Sequence, residues 1–155
     1  MAIFTRSAVL EWTGGVPRGS GRIEGGSQSF AVPASFPMVS GDAPGVTTPE
    51  ELLAASHAVC YGIGLRSVLG RRGGSAQRVR VRATVSAEKG ADGILIRSSH
   101  LDAVVEGLEG ITPAQLEEIA QATEDSCTIS NAIRGSVAIT HAIVAAEAGD
   151  AVDKA

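Results

Sequence analysis

Cys60 and Cys127 are the two cysteines in a chain of 155 residues, and each falls where the surrounding residues predict a helix. A cysteine does nucleophilic chemistry as its thiolate, so the question at each position is what would stabilise a negative sulfur. Ser126 can cap a short helix beginning at Cys127, where free N–H groups favour an anion. Cys60 lies about three turns into a longer helix and gets no such help from it. It needs a cation brought from elsewhere, or it is simply a packed core residue. Inert thiols, a structural disulfide, metal ligands and a redox pair are all open at this point. His57 and Cys60 are three apart and share a helix face, so with Cys127 they are the candidate metal set. The spacing lacks the paired CxxC or HxxxH of zinc sites, and neither a metal nor a cofactor is expected. His57 reads as a satisfied helix residue and His141 as an ordinary strand position. Glu50 and Glu51 suit the first turn of the same helix, where carboxylates meet its positive end. Glycine-rich turns are present, but none leads into Lys-Ser/Thr and a helix, and no GxSxG elbow occurs.

These side chains need elements to hold them. Thr5 to Trp12, Gly21 to Glu24 and Ser27 to Val32 read as a three-stranded meander, with turn chemistry at Thr13-Gly14-Gly15-Val16-Pro17-Arg18-Gly19. A loop rich in proline and glycine follows from Pro33 to Thr47. Thr48 then serves as N-cap, Pro49 as the first helical residue and Glu51 as the third residue of a capping box. Apolar residues almost all round predict a buried, central helix to about Leu69, stopped by Gly70 and Gly73-Gly74. Val79, Val81 and Val85 alternate with Arg78, Arg80 and Arg82, a strand with a solvated arginine face. Glu88 to Gly93 is a hairpin turn, and Ile94 to Val105 returns as a kinked strand. Thr112-Pro113-Ala114-Gln115 repeats the capping-box pattern ahead of a second helix, Cys127 opens a third, and Ser136 to Val144 is a last strand. The order βββ-α-ββ-αα-β is an α+β fold. One domain is expected over residues 1–145, with 146–155 a disordered acidic tail.

Composition narrows the function classes. Hydrophobic residues at 44% and charged residues at 19% describe a globular chain. A formal charge of -4 provides no basic footprint, and 3% aromatics cannot build a base-stacking platform, so no nucleic-acid partner is expected. Neither a secretory leader nor a membrane span is read, which points to the cytoplasm. In that compartment a permanent disulfide is disfavoured and a transient one stays open.

Thr47-Thr48-Pro49-Glu50-Glu51-Leu52-Leu53-Ala54-Ala55-Ser56-His57-Ala58-Val59-Cys60 resembles the "GTNPEELLAAAHAxCF" signature of the OsmC/Ohr family of thiol peroxidases. Trp12-Thr13-Gly14-Gly15-Val16-Pro17-Arg18-Gly19-Ser20-Gly21 resembles that family's "WxGxxxRGxG". Ser126-Cys127-Thr128-Ile129-Ser130-Asn131-Ala132-Ile133 resembles "xCPVSxxL", with Thr128 where proline is usual. The resemblance covers about residues 6 to 144 and implies an intertwined homodimer with active sites at the subunit interface. It makes Cys60 the peroxidatic cysteine, attacking an organic hydroperoxide, and Cys127 the resolving one. The resulting disulfide would be reopened by a dithiol reductant of the lipoyl type. By motif position Glu50 is the glutamate beside the reactive sulfur, and Arg18 is its arginine. Ser35 stands where OsmC-type members often carry an arginine. That departure motivates the alternative of a catalytically weakened relative that binds a small apolar ligand.

Overall fold

The computed structural model describes residues 3–16, 18–36 and 45–149. Contacts within the chain divide it into two units, residues 1–52 and 53–155. The expected element order is the observed one.

The first unit is the meander β1 (Ala8–Thr13), β2 (Ser20–Gly25) and β3 (Ala31–Ala34), antiparallel throughout with β2 in the middle. The third strand starts later than the sequence suggests and runs through Pro33, which pairs with Arg22. An edge strand tolerates a proline because its outer side needs no N–H donor. The chain returns to this edge at Thr47, whose N–H donates to the Pro33 carbonyl (2.8 Å) and whose carbonyl accepts from Ser35 (3.0 Å). Residues 37–44 of the expected loop lie outside the described residues.

Helix α1 (Pro49–Arg71) begins at the end of this unit. The Glu51 N–H donates to Thr48 Oγ1 (3.3 Å), as an N-cap requires. The Glu51 carboxylate, however, accepts from the Thr47 hydroxyl (2.7 Å).

The second unit packs the rest of α1 and α2 (Pro113–Ser126) against a sheet ordered β4 (Arg78–Gly90), β5 (Gly93–Glu106), β6 (Ala138–Ala146). β4 and β5 form a long antiparallel hairpin, in which a register shift leaves Arg97 with no residue opposite it in the ladder. That bulge is the expected kink. β6 runs parallel to β5, so the chain must cross over, and α2 with α3 (Thr128–Ile133) makes the crossing. The expected tail begins at the end of β6, and 150–155 lie outside the described residues.

Along α1 the buried stripe is His57, Tyr61, Leu65, Val68 and Leu69, a helical spacing that meets Leu101, Ala103 and Val105 of β5. Leu116 and Ile119 of α2 close the core. Fully burying each leucine is worth about 2 kcal/mol. By length and composition α1 passes for a membrane span, with a mean hydropathy of 1.4, yet this stripe packs into a protein core. Its other face leaves Val59 and Ile63 exposed, at 61% and 68%. His141 is not the ordinary strand position expected. Its Nδ1 meets the buried Glu124 carboxylate (2.9 Å) and its Nε2 meets Glu117 (3.1 Å), while Arg134 reaches Glu124 (3.3 Å). A carboxylate buried among helices requires such partners.

Candidate active site

Cys127 is not the first residue of α3, as expected, but its N-cap. Its backbone is extended (φ -71°, ψ 120°), and its sulfur accepts from the Ser130 N–H at 3.5 Å. Ser126 instead ends α2, its hydroxyl donating to the Thr123 carbonyl. The thiol itself does the capping because the sharp α2–α3 junction puts its side chain over the first turn of α3.

This junction faces the middle of α1. The Cys127 thiol donates to Cys60 Sγ at 2.8 Å. Thr128 Oγ1 is 3.5 Å from the same sulfur, and the backbone N–H groups of Thr128 and Ile129 favour its negative form. Cys60 is half-buried and Cys127 only 2% exposed, and both are free thiols. Burial pushes the Cys60 thiol up, but donors from Cys127, Thr128 and Ile129 outweigh it and hold Cys60 below the ordinary thiol value. Burial pushes the Cys127 thiol up too, and its donation to Cys60 raises it further. The two thiols are therefore shifted in opposite directions, and Cys60 is the more acidic of the pair. The sequence-based expectation had assigned the helix N–H groups to Cys127. They are divided between the two sulfurs: the Ser130 N–H donates to Cys127, while those of Thr128 and Ile129 favour a negative Cys60.

His57 ties this arrangement together. It is fully buried, with Nδ1 2.8 Å from Ser99 Oγ on β5 and Nε2 2.8 Å from Ser130 Oγ on α3. Burial lowers its pKa, against the opposing pull of Glu124, so the ring is neutral and offers one donor and one acceptor. Ser130 thereby links the ring to Cys127, where its hydroxyl opposes in part the upward shift of the thiol. Both ring nitrogens are thus spent on serines, which withdraws the histidine from the candidate metal set. Among the described residues no three His, Cys, Asp or Glu side chains group as metal ligands. Ser99 and Ser130 were not singled out from sequence; a serine three residues after an N-cap cysteine is too common a pattern to read.

Arg18 and Glu50 belong to the first unit. Arg18 is exposed in the β1–β2 turn and Glu50 half-buried in the first turn of α1. The turn is built on Trp12, whose Nε1–H donates to the Gly14 carbonyl (3.0 Å). A Cβ at Gly19 would run into the indole, so only glycine follows Arg18 here. The same unit holds an apolar pocket of about 510 Å3 between the meander and the start of α1, lined by Leu10, Trp12, Ile23, Phe36, Pro49 and Leu52 among others.

An α+β chain with this element order and a cysteine pair between its first and third helices defines a specific class. A family model described as OsmC-like protein matches residues 41–142, and the chain belongs to that family. Peroxiredoxin OsmC of Escherichia coli strain K12 is 27% identical over 135 residues, covering 84% of this chain and 90% of that protein. Among solved structures, an organic hydroperoxide resistance protein OsmC from Legionella pneumophila superposes with a TM-score of 0.74 at 25% identity, over 92% of this chain and 98% of that one. An organic hydroperoxide resistance protein from Elizabethkingia anophelis superposes with a TM-score of 0.76 at 19% identity, over 94% and 99%; at that identity the likeness is one of fold.

Proposed function

We propose that the protein is a thiol-dependent peroxidase that reduces organic hydroperoxides to alcohols. The observation that carries this reading is the cysteine pair, a half-exposed Cys60 sulfur with a second thiol 2.8 Å away and the Thr128 hydroxyl at 3.5 Å. The Cys60 thiolate attacks the hydroperoxide oxygen, the O–O bond breaks, and the departing alkoxide takes a proton to leave as alcohol. Cys60 becomes a sulfenic acid. Cys127 sulfur then attacks it, the S–O bond breaks and water leaves, forming the Cys60–Cys127 disulfide. A dithiol of the lipoyl class reopens it by exchange. The names of the relatives, peroxiredoxin and organic hydroperoxide resistance protein, support the same reading.

The reading includes a homodimer. Residues ten apart on one α-helix are separated by about 15 Å of rise, too far for a carboxylate to touch a sulfur, and Glu50 and Cys60 are ten apart on α1. In this reading Glu50 and Arg18 act on the Cys60 of a second copy, and their apolar pocket takes the organic tail of the substrate. The exposed Val59 and Ile63 face of α1 suits burial against that copy. A cytoplasmic location fits a disulfide that must be reduced in every cycle.

The test is intact mass after one equivalent of an organic hydroperoxide. Wild type loses two hydrogens per chain, mapped to a Cys60–Cys127 disulfide, faster than with hydrogen peroxide. Cys127→Ser gains one oxygen on Cys60, and Cys60→Ser is unchanged. An unaltered wild-type mass would instead favour the second reading, a small-ligand binder built on the same apolar pocket.

A further inference from the structure

We propose that Thr128 is a catalytic residue, whose hydroxyl donates a hydrogen bond to the Cys60 sulfur and keeps it in the reactive form. The inference rests on the peroxidatic role given to Cys60 above and adds a participant to that site. Thr128 Oγ1 lies 3.5 Å from Cys60 Sγ, within the longer range of hydrogen bonds to sulfur. A thiolate has no proton to give, so the hydroxyl is the donor. The contact joins residues 68 apart in sequence, and Thr128 is otherwise exposed. Its hydroxyl could turn to water, and the structure directs it to the sulfur. The backbone N–H of Thr128 also favours the negative form of that sulfur, so one residue acts on the nucleophile through both its hydroxyl and its amide.

The position is unusual in that both donors can be removed without disturbing the fold. Thr128 is the first residue of α3, where a proline's missing N–H and fixed φ are tolerated. Cys127 before it is extended at φ -71° and ψ 120°, the conformation preferred ahead of proline. The segment that the sequence resembles carries proline here, so this chain places two donors at the sulfur where a proline would place neither.

The experiment is the pH dependence of Cys60 alkylation by iodoacetamide, quantified on the Cys60 peptide, alongside the rate of reaction with an organic hydroperoxide. Thr128→Ser retains both donors and keeps the wild-type profile. Thr128→Val removes the hydroxyl alone and moves the inflection to higher pH, with both rates roughly 5-fold lower on the acidic limb. Thr128→Pro removes both donors and shifts it further. Above the inflection the limiting alkylation rate of each variant equals or exceeds wild type, since a less stabilised thiolate is the better nucleophile. A residue that merely held the fold would lower that plateau as well. Profiles of Val and Pro variants superimposing on wild type, or a lowered plateau in the Val variant, overturn the assignment. If the alkylation profiles shift as stated but no form consumes hydroperoxide, the peroxidase reading fails while the role of Thr128 on the thiolate stands.

Discussion

At Cys60 the downward shift of the thiol comes from hydrogen-bond donors. Burial works against the thiolate, and short-range donors from the α2–α3 junction reverse the balance. Reaction of Cys60 with hydroperoxide should therefore rise with pH and level off below the range of an ordinary thiol. A profile that levels off only above it would mean the junction does not hold the charge. The neighbouring His57 makes a separate prediction about stability. Its folded pKa lies below the ordinary 6.5 because the ring is buried. On acidification the unfolded chain takes up a proton that the folded one refuses. The stability contribution is thus complete above about pH 6.5 and shrinks as pH falls toward the lowered value. His57→Gln, which does not titrate, should be less stable at neutral pH but lose less of its melting temperature on going to pH 5. Equal acid slopes in the two proteins would assign the effect to other groups.

The elements are held by complementary stripes. α1 contributes His57, Tyr61, Leu65, Val68 and Leu69, while α2 contributes Leu116, Ile119, Ala120 and Thr123. Leu65 is fully buried at the centre of that cluster. Leu65→Ala should cost about 2–5 kcal/mol through lost burial and a residual cavity, read as a lower denaturant midpoint; a loss under about 0.5 kcal/mol would contradict the packing described. At the start of α2 the capping device is local: the Gln115 side chain accepts from the Thr112 N–H at 2.9 Å. α3 is different. Six residues do not make a stable helix alone, and this one is anchored through the Cys127 cap, the His57–Ser130 hydrogen bond and the Asn131 side chain on the Asp125 carbonyl. The element that brings Thr128 to the Cys60 sulfur is thus the one most dependent on tertiary contacts.

For the whole molecule the homodimer reading has a sharp test in mixed chains. Glu50→Ala and Cys60→Ser should each abolish or strongly slow turnover as pure proteins. Unfolded together and refolded as a mixture, they should regain roughly a quarter of wild-type activity, since half the dimers are mixed and each has one intact site. Sites completed within a single chain would regain nothing. Glu50→Ala should also slow the reaction more than Glu51→Ala, whose carboxylate is already engaged by Thr47; the opposite order would assign the catalytic carboxylate to Glu51.

The order of elements, the N-cap of α1, the second capping box and the inward valines of β4 were legible from the chain because each depends on neighbours within a turn or a strand. Cys60 and Cys127 stood out by residue type and local context, and the resemblance to the OsmC/Ohr motifs added Glu50 and Arg18 as candidates. What surrounds Cys60 was not legible. From its own helix the thiol looked inert, and Cys127 looked like the sulfur that α3 would favour. The fold reverses this, because Cys127 is buried and donates to Cys60, whose negative form Thr128 and Ile129 also favour. His141 looked ordinary until the fold set it between Glu117 and Glu124. Sequence alone determined which segments become helices and strands, since backbone propensity and side-chain period are short-range. Only the tertiary structure decided which thiol is the more acidic, because that depends on groups 67 to 69 residues away, and such groups meet only when the core has packed.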